Sequence, residues 1–178
     1  MDVIEAIHSR RSIRDFTAQG IDRDLILELI WDAAQAPPPF EGQVPWTFVV
    51  IEGADRIAAY GVRAMQYARA HRPEGAGWTW TEREDFKVFW NAPAVVIIAG
   101  PANDCCRAAQ WLILSAHARG LGSCWVGAPP LWLETAEARA ELGVPLDATS
   151  TTAICLGYAA TVPEPRERAK PPVIWSDQ

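Results

Sequence analysis

From Pro93 to Ala99 the chain reads Pro-Ala-Val-Val-Ile-Ile-Ala, a continuous apolar run of strand length with nothing polar to turn toward water. Such a run predicts a strand buried on both faces at the centre of a sheet. Two further strands are expected, Thr47 to Glu52 and Thr151 to Leu156, the second closed by Gly157-Tyr158. Between them the apolar residues recur at helical spacing. Asp2 is placed to cap a first helix with Val3, Ile4 and Ile7 on one face. Asp22 caps a second, carrying Leu25, Ile26, Leu29, Ile30 and Ala33, which runs to about Gln35 and is stopped by Pro37-Pro38-Pro39. A third spans 54–70, with Ile57, Tyr60, Ala64 and Ala68 on one face. The longest helix is expected from an Asp104 cap to Arg119, closed by Gly120. Ala108, Ala109, Leu112, Ile113 and Ala116 give it a wide apolar face. A short helix from about Glu134 to Leu142 ends at Gly143, and the Pro-rich tail from Pro163 to Gln178 reads as irregular. No repeat and no linker divides the 178 residues, so a single domain over 1–178 is expected.

The formal net charge is −6, which argues against nucleic acid as a main partner, because no basic stripe is available to neutralise phosphates along a duplex. Cys105 and Cys106 are adjacent, while Cys124 and Cys155 stand alone in apolar runs, so no metal-ligand spacing appears and no metal is expected. No secretory signal opens the chain, and no apolar run approaches the ~20 residues a spanning helix needs. A cytoplasmic protein with reduced thiols and no membrane association is therefore expected. Nine tryptophans point to stacking surfaces or a large aromatic interface. Residues 72–90 carry Trp78, Trp80, Phe86, Phe89 and Trp90 among Pro, Gly and charge, and read as a mobile lid or, by preference, an aromatic packing segment.

Between His8 and Phe16 the sequence gathers Ser9, Arg10, Arg11, Ser12 and Arg14. Guanidinium forks match phosphate oxygens, and serine hydroxyls add short-range donors, so the cluster suits a small anionic ligand. A solvated basic turn is the plain alternative. The loop from Ala36 through Pro37, Pro38, Pro39 and Phe40 to Trp46 is stiff and aromatic, fit to wall a flat ligand or simply to join helix to strand. Gly120-Leu-Gly-Ser-Cys-Trp-Val-Gly-Ala128 fails as a dinucleotide fingerprint: its third glycine is misplaced, and it follows a helix where the fingerprint follows a strand.

Four segments, taken in order, resemble the nitroreductase family of FMN-dependent oxidoreductases. They are Ser9-Arg-Arg-Ser-Ile-Arg-Asp-Phe16; Ala36-Pro37 to Pro45-Trp46-Thr47-Phe48; Ala108-Ala109-Gln110 to Gly120-Leu-Gly-Ser-Cys-Trp125; and Leu156-Gly-Tyr158 to Arg168-Ala-Lys-Pro171. The resemblance implies an α+β fold, a three-layer α-β-α sandwich with a mixed, mostly antiparallel sheet, assembled as an intertwined homodimer with FMN at each of two interfaces. Carried over by position, Arg10, Arg11 and Ser12 contact the phosphate and ribityl chain, and Arg14 lies near the pyrimidine edge. Pro37, Pro38 and Pro39 cover the flavin from the partner subunit. Gln43 stands among the cofactor contacts where the family usually has Asn. Trp125, Val126, Gly127 and Ala128 bring backbone toward flavin N5. Arg168 and Lys170 return to the phosphate, unless the register favours Arg166.

The implied activity is hydride transfer from NAD(P)H onto FMN and on to nitroaromatic, quinone or similar acceptors by alternate binding, with the chemistry on flavin N5 and no protein catalytic group. Other readings on the same fold are a specialised flavin dehydrogenase, a reductive dehalogenase-type enzyme, or a flavin-binding storage protein. The chain departs from the family in three places. Pro38 stands where the family has Ser, Gly42-Gln43 stands around its Asn, and Gln110-Trp111 replaces its Gln-Asn.

Overall fold

The computed structural model describes residues 1–176 except 41–42, 73–75, 128–129 and 166. The apolar run becomes β2 (Ala94–Gly100), with every residue buried. It is flanked by β1 (Thr47–Glu52) and β4 (Ser150–Gly157), and β3 (Gly122–Val126) completes a sheet of order β1-β2-β4-β3. All three pairings are antiparallel, with Val49 opposite Ile97 and Ile97 opposite Ala153. A parallel bridge between Ser12 and Ser123 adds the mixed element at the β3 edge.

Strand alternation sends Val95 and Ile97 to one face and Val96 and Ile98 to the other. On the first face these residues, with Cys124, Ala153 and Cys155, meet α3 (Ala54–His71) through Ile57, Ala64 and Met65. They also meet Leu133 of α5 (Pro130–Leu133) and Ala138 of α6 (Ala136–Leu142). On the second, Val96, Ile98, Ile154 and Leu156 meet Ile26, Leu29 and Ala33 of α2 (Arg23–Ala33), and Ala108, Leu112 and Ala116 of α4 (Ala102–Ala118). The result is the expected three-layer α-β-α sandwich. Each fully buried aliphatic side chain contributes about 1.5–3 kcal/mol.

The caps follow the sequence with one exception. Asp2 accepts from Glu5 N–H at 2.9 Å to start α1 (Val3–Ser9), and Asp22 accepts from Asp24 N–H at 2.9 Å to start α2. Asp104 does not cap α4. Pro101 holds the N-cap position, and Asp104 lies buried in the first turn, paired with Arg107. The helix starts earlier because Pro101 fixes its own φ and its carbonyl accepts from Asp104 and Cys105.

Strand β3 was not anticipated, since Gly-Ser-Cys-Trp-Val shows no alternation in its first half. The helix expected from about Glu134 to Leu142 is α6, which Thr135 caps and which starts at Ala136; α5, just before it, was not anticipated. Val3, Ile4 and Ile7 of α1 are 66%, 61% and 52% exposed, so this apolar face is left uncovered by its own chain. Residues 76–90 form a packed aromatic segment: Trp78, Trp80, Phe86 and Trp90 touch in series at 5.8, 5.2 and 5.2 Å, while Val88 and Phe89 are buried.

Candidate functional site

The arginine segment is built by the end of one helix and the edge of the sheet. Helix α1 ends at Ser9, and its last carbonyls have no partner within the helix, as at any helix end. Arg11 Nη1 donates to the carbonyls of His8 (2.9 Å), Ser9 (3.0 Å) and Arg10 (2.9 Å), so Arg11 caps that terminus. The chain then runs extended along β3. Ile13 N–H donates to the Ser123 carbonyl at 2.9 Å, and Phe16 bridges to Ala159.

Two glycines allow this close approach. Gly122 and Gly157 face each other across β3 and β4. A Cβ on Gly122 would lie 2.8 Å from Ile13 Cγ1, and one on Gly157 would lie 2.7 Å from Phe16 Cδ1. Ile13 and Phe16 are buried in that space. Alternation along the extended chain leaves Ser12 half-buried and Arg14 exposed.

Asn91 fixes the far end. Its Oδ1 accepts from Phe16 N–H at 2.9 Å, while its Nδ2 donates to the Phe16 carbonyl (2.8 Å) and to Asp15 Oδ1 (3.1 Å). Asp15 Oδ2 accepts from the Thr161 hydroxyl at 2.9 Å, and Ala160 N–H donates to the Asp15 carbonyl, which ties the start of the C-terminal tail to the same edge.

The segment and the tail enclose a cavity of about 380 Å³. Arg10, Arg11, Ser12 and Arg14 form one side; Pro163, Glu164, Glu167 and Arg168 form the other. Among the described residues, none of these four arginines has a carboxylate within ion-pair distance. Four guanidiniums against two carboxylates leave an excess of two positive charges, which is the complement of a phosphate monoester dianion. Burial lowers the Arg10 pKa from its ordinary value, and the guanidiniums of Arg168 and Arg11 push the same way. Bringing an anion into the cavity relieves that repulsion.

His117 of α4 stands behind the cluster. The Ser9 hydroxyl donates to the Glu5 carbonyl at 2.7 Å, so at its 2.8 Å contact with His117 Nε2 it accepts, and the ring carries its proton on Nε2. Burial, then Arg10 and Arg11, lower the His117 pKa against a smaller opposing effect of Glu5.

Arg14 lies over the face of Trp90, its guanidinium carbon 5.5 Å from the ring centroid. Trp90 has φ 56°, a left-handed conformation that costs a bulky residue roughly 1–3 kcal/mol. Its indole N–H is buried beside the Cys124 sulfur, a weak acceptor with which it makes no well-formed hydrogen bond. Burial pushes the neighbouring Cys124 thiol up, with Arg14 the foremost charge opposing it.

Of the sequence-derived site residues, Arg10, Arg11, Ser12, Arg14 and Arg168 come together in this cavity. Lys170 lies further along the exposed tail and does not line it. Pro37, Pro38, Pro39 and Gln43 are exposed and lie outside the cavity. Trp125 is exposed at the end of β3, opposite Ile154, with Val126 buried beside it and Gly127 exposed just past the strand. Ala128, Gly42 and Arg166 lie outside the described residues. Sequence reasoning missed Glu164, Glu167, His117 and Trp90. The acidic pair was visible as alternation with the tail's basic residues, whereas His117 and Trp90 carry no local signal.

The nitroreductase family model matches residues 7–158. A protein from Methanothermobacter thermautotrophicus, assigned by name as an NADH dehydrogenase/NAD(P)H nitroreductase, is 29% identical over 96% of this chain and 84% of its own length. A nitroreductase with bound FMN from Bacteroides fragilis superposes with a TM-score of 0.82 at 24% identity, covering 99% of this chain and all of its own. An iodotyrosine deiodinase bound to FMN and 3-iodo-L-tyrosine shares the fold at a TM-score of 0.76 and 17% identity, over 99% of this chain and 100% of its own. The match over residues 7–158 spans the arginine segment, all four strands and α4, and on it the chain belongs to the nitroreductase family.

Proposed function

We propose that this protein is an FMN-dependent oxidoreductase that takes reducing equivalents from NAD(P)H and delivers them to nitroaromatic, quinone or similar small acceptors. The observation that carries the reading is the cavity in which Arg10, Arg11, Ser12, Arg14 and Arg168 converge with an excess of two positive charges. These residues fit the phosphate end of FMN. Arg10 and Arg168 present guanidiniums with no ion-pair partner among the described residues, and Ser12 adds a hydroxyl donor. Arg11, with one nitrogen committed to the α1 terminus, is held rigidly and acts mainly through its charge. FMN, when bound, supplies the two-electron carrier on which hydride arrives and leaves. The chain's own residues bind, orient and set the charge around it, and no general base is required of them.

Arg14 is assigned to the pyrimidine edge, where a positive charge favours the reduced state. The β3 end at Trp125, Val126 and Gly127, with Ala128 beyond it, is assigned to the neighbourhood of N5. Lys170 is assigned a reinforcing role at the phosphate.

The functional unit in this reading is a homodimer, with Pro37, Pro38, Pro39 and Gln43 covering the flavin of the partner subunit. The uncovered apolar face of α1, together with exposed Trp31 and Trp111, supports such an interface. A cytoplasmic setting accords with four free cysteines, and no helix among the described residues is long and apolar enough to cross a membrane.

The test is anaerobic reduction of the FMN-loaded protein by NADH and by NADPH, followed by an acceptor panel of a nitroaromatic, a quinone and a halogenated tyrosine. Reduction by either nicotinamide and turnover with the first two is expected. Turnover confined to the halogenated tyrosine would assign the deiodinase-type reaction instead, and bound FMN that neither nicotinamide reduces would contradict the reductase reading.

A further inference from the structure

We propose that Trp90 is a positioning residue that holds the Arg14 guanidinium by its face and thereby sets the preference of the site for reduced over oxidised FMN; this rests on the assignment of Arg14 made above. Trp90 is the one non-glycine residue with positive φ among those described. A bulky side chain occupies that region only where surrounding structure imposes it. Its own polar group does not account for the placement, because the buried indole N–H meets only the Cys124 sulfur, a weak acceptor, without a well-formed hydrogen bond. Packing fixes the ring from behind: Phe86 meets it edge-on at 5.2 Å and is backed in turn by Trp80.

What the ring faces is Arg14, at 5.5 Å. The next residue, Asn91, grips Asp15 and both backbone groups of Phe16. Trp90 and Asn91 thus hold the arginine's side chain and the backbone that follows it from one short segment. Asp15, the nearest acidic residue in sequence, is already engaged by Asn91 and Thr161.

The choice of an aromatic partner over a carboxylate has a chemical consequence. A carboxylate would neutralise Arg14 and consume its N–H edges, which lie in the guanidinium plane. An indole holds the cation through its π face, leaving the full charge, and the in-plane donors not turned toward Cys124, available to a ligand. That is the arrangement a residue needs if its charge is to act on a flavin in the cavity it lines.

The experiment is the midpoint potential of bound FMN in the wild type, Trp90→Leu, Trp90→Phe, Arg14→Gln and the Trp90→Leu/Arg14→Gln double variant. In Trp90→Leu the affinity ratio for reduced over oxidised FMN should fall about fivefold, which is ~20 mV for a two-electron couple. Trp90→Phe, which keeps a ring face, should stay within about twofold of wild type. In the Arg14→Gln background, Trp90→Leu should add no further shift. A wild-type potential in Trp90→Leu alongside a lowered one in Arg14→Gln would overturn the Trp90 inference and leave the Arg14 assignment standing. Equal Trp90→Leu shifts in both backgrounds would overturn it too, since the indole would then act independently of Arg14. A wild-type potential in Arg14→Gln would overturn both. Should Trp90→Leu fail to fold, the Arg14 side-chain protons of the native holoprotein carry the test. Upfield ring-current shifts that shrink in Trp90→Phe support the stacking, and their absence overturns it.

Discussion

Arg10 is the residue on which the anion site turns, because it combines partial burial with the repulsion of Arg168 and Arg11. Removing it should weaken FMN binding by about 1.5–3 kcal/mol, the range for a hydrogen bond to a charged group. Equilibrium titration of Arg10→Ala checks this. Arg14 differs in kind. At an effective dielectric near 20 a charge about 4 Å away interacts by roughly 4 kcal/mol. If about a quarter survives solvent and relaxation, the bound couple moves by ~20 mV. Arg14→Gln should therefore keep most of its FMN and lower the midpoint potential by tens of millivolts. Arg14 forms no ion pair with Asp15, whose carboxylate instead accepts from Asn91 and Thr161.

His117 supplies a pH prediction at the same scale. Its folded pKa lies below the ordinary value of 6.5, so the unfolded chain binds the proton more readily. The contribution is fully present above that ordinary value and is lost as pH falls through the lower folded one. Thermal unfolding between pH 7 and pH 5 should show a smaller loss in His117→Gln than in the wild type. Equal losses would remove His117 from the account.

Among the elements, the β3–β4 pair matters most, because it seats the arginine segment. Gly157→Ala would place a methyl 2.6 Å from Pro93 Cδ and 2.7 Å from Phe16 Cδ1; Phe16 is buried, and the Pro93 ring is fixed to its own backbone. The expected result is overpacking of about 1–3 kcal/mol and a displaced Asp15-Phe16 turn, read as a lower Tm together with weaker FMN binding. Leu112→Ala, on the opposite side of the sheet, should cost about 2–5 kcal/mol in stability while leaving FMN affinity per folded molecule unchanged. The contrast separates a seat for the site from general core packing.

The same pair shows what the sequence reveals and what it conceals. Helix and strand positions with strong periodicity were legible: α2, α3 and β1 fall where Asp22, Ile57 and Thr47 placed them. The arginine segment and Arg168 were named through family resemblance, and they line one cavity. Strand β3 was not, because its glycine and serine serve a close approach from a distant segment. Trp90 and His117 were hidden for the same reason, since a backbone φ and a contact across the fold leave no local pattern.

At the scale of the whole molecule, the single chain builds half of what the proposed function needs. Arg10, Arg11, Ser12, Arg14 and Arg168 line one cavity within a single chain, whereas Pro37, Pro38, Pro39 and Gln43 stand exposed and outside it. The exposed Val3, Ile4 and Ile7 face of α1, with Trp31 and Trp111, is apolar surface a stable monomer would rarely present. Sedimentation should find a dimer at and below micromolar concentration, and a monomer that binds FMN fully would contradict that assembly. Whether the arginine cavity holds the phosphate of FMN is decided by titrating wild type and Arg10→Ala with FMN and with riboflavin, which lacks the phosphate. Arg10→Ala should lose about 10- to 150-fold in affinity for FMN, matching 1.5–3 kcal/mol, and change little toward riboflavin. Equal losses toward both flavins, or no loss toward FMN, would contradict that placement of the phosphate.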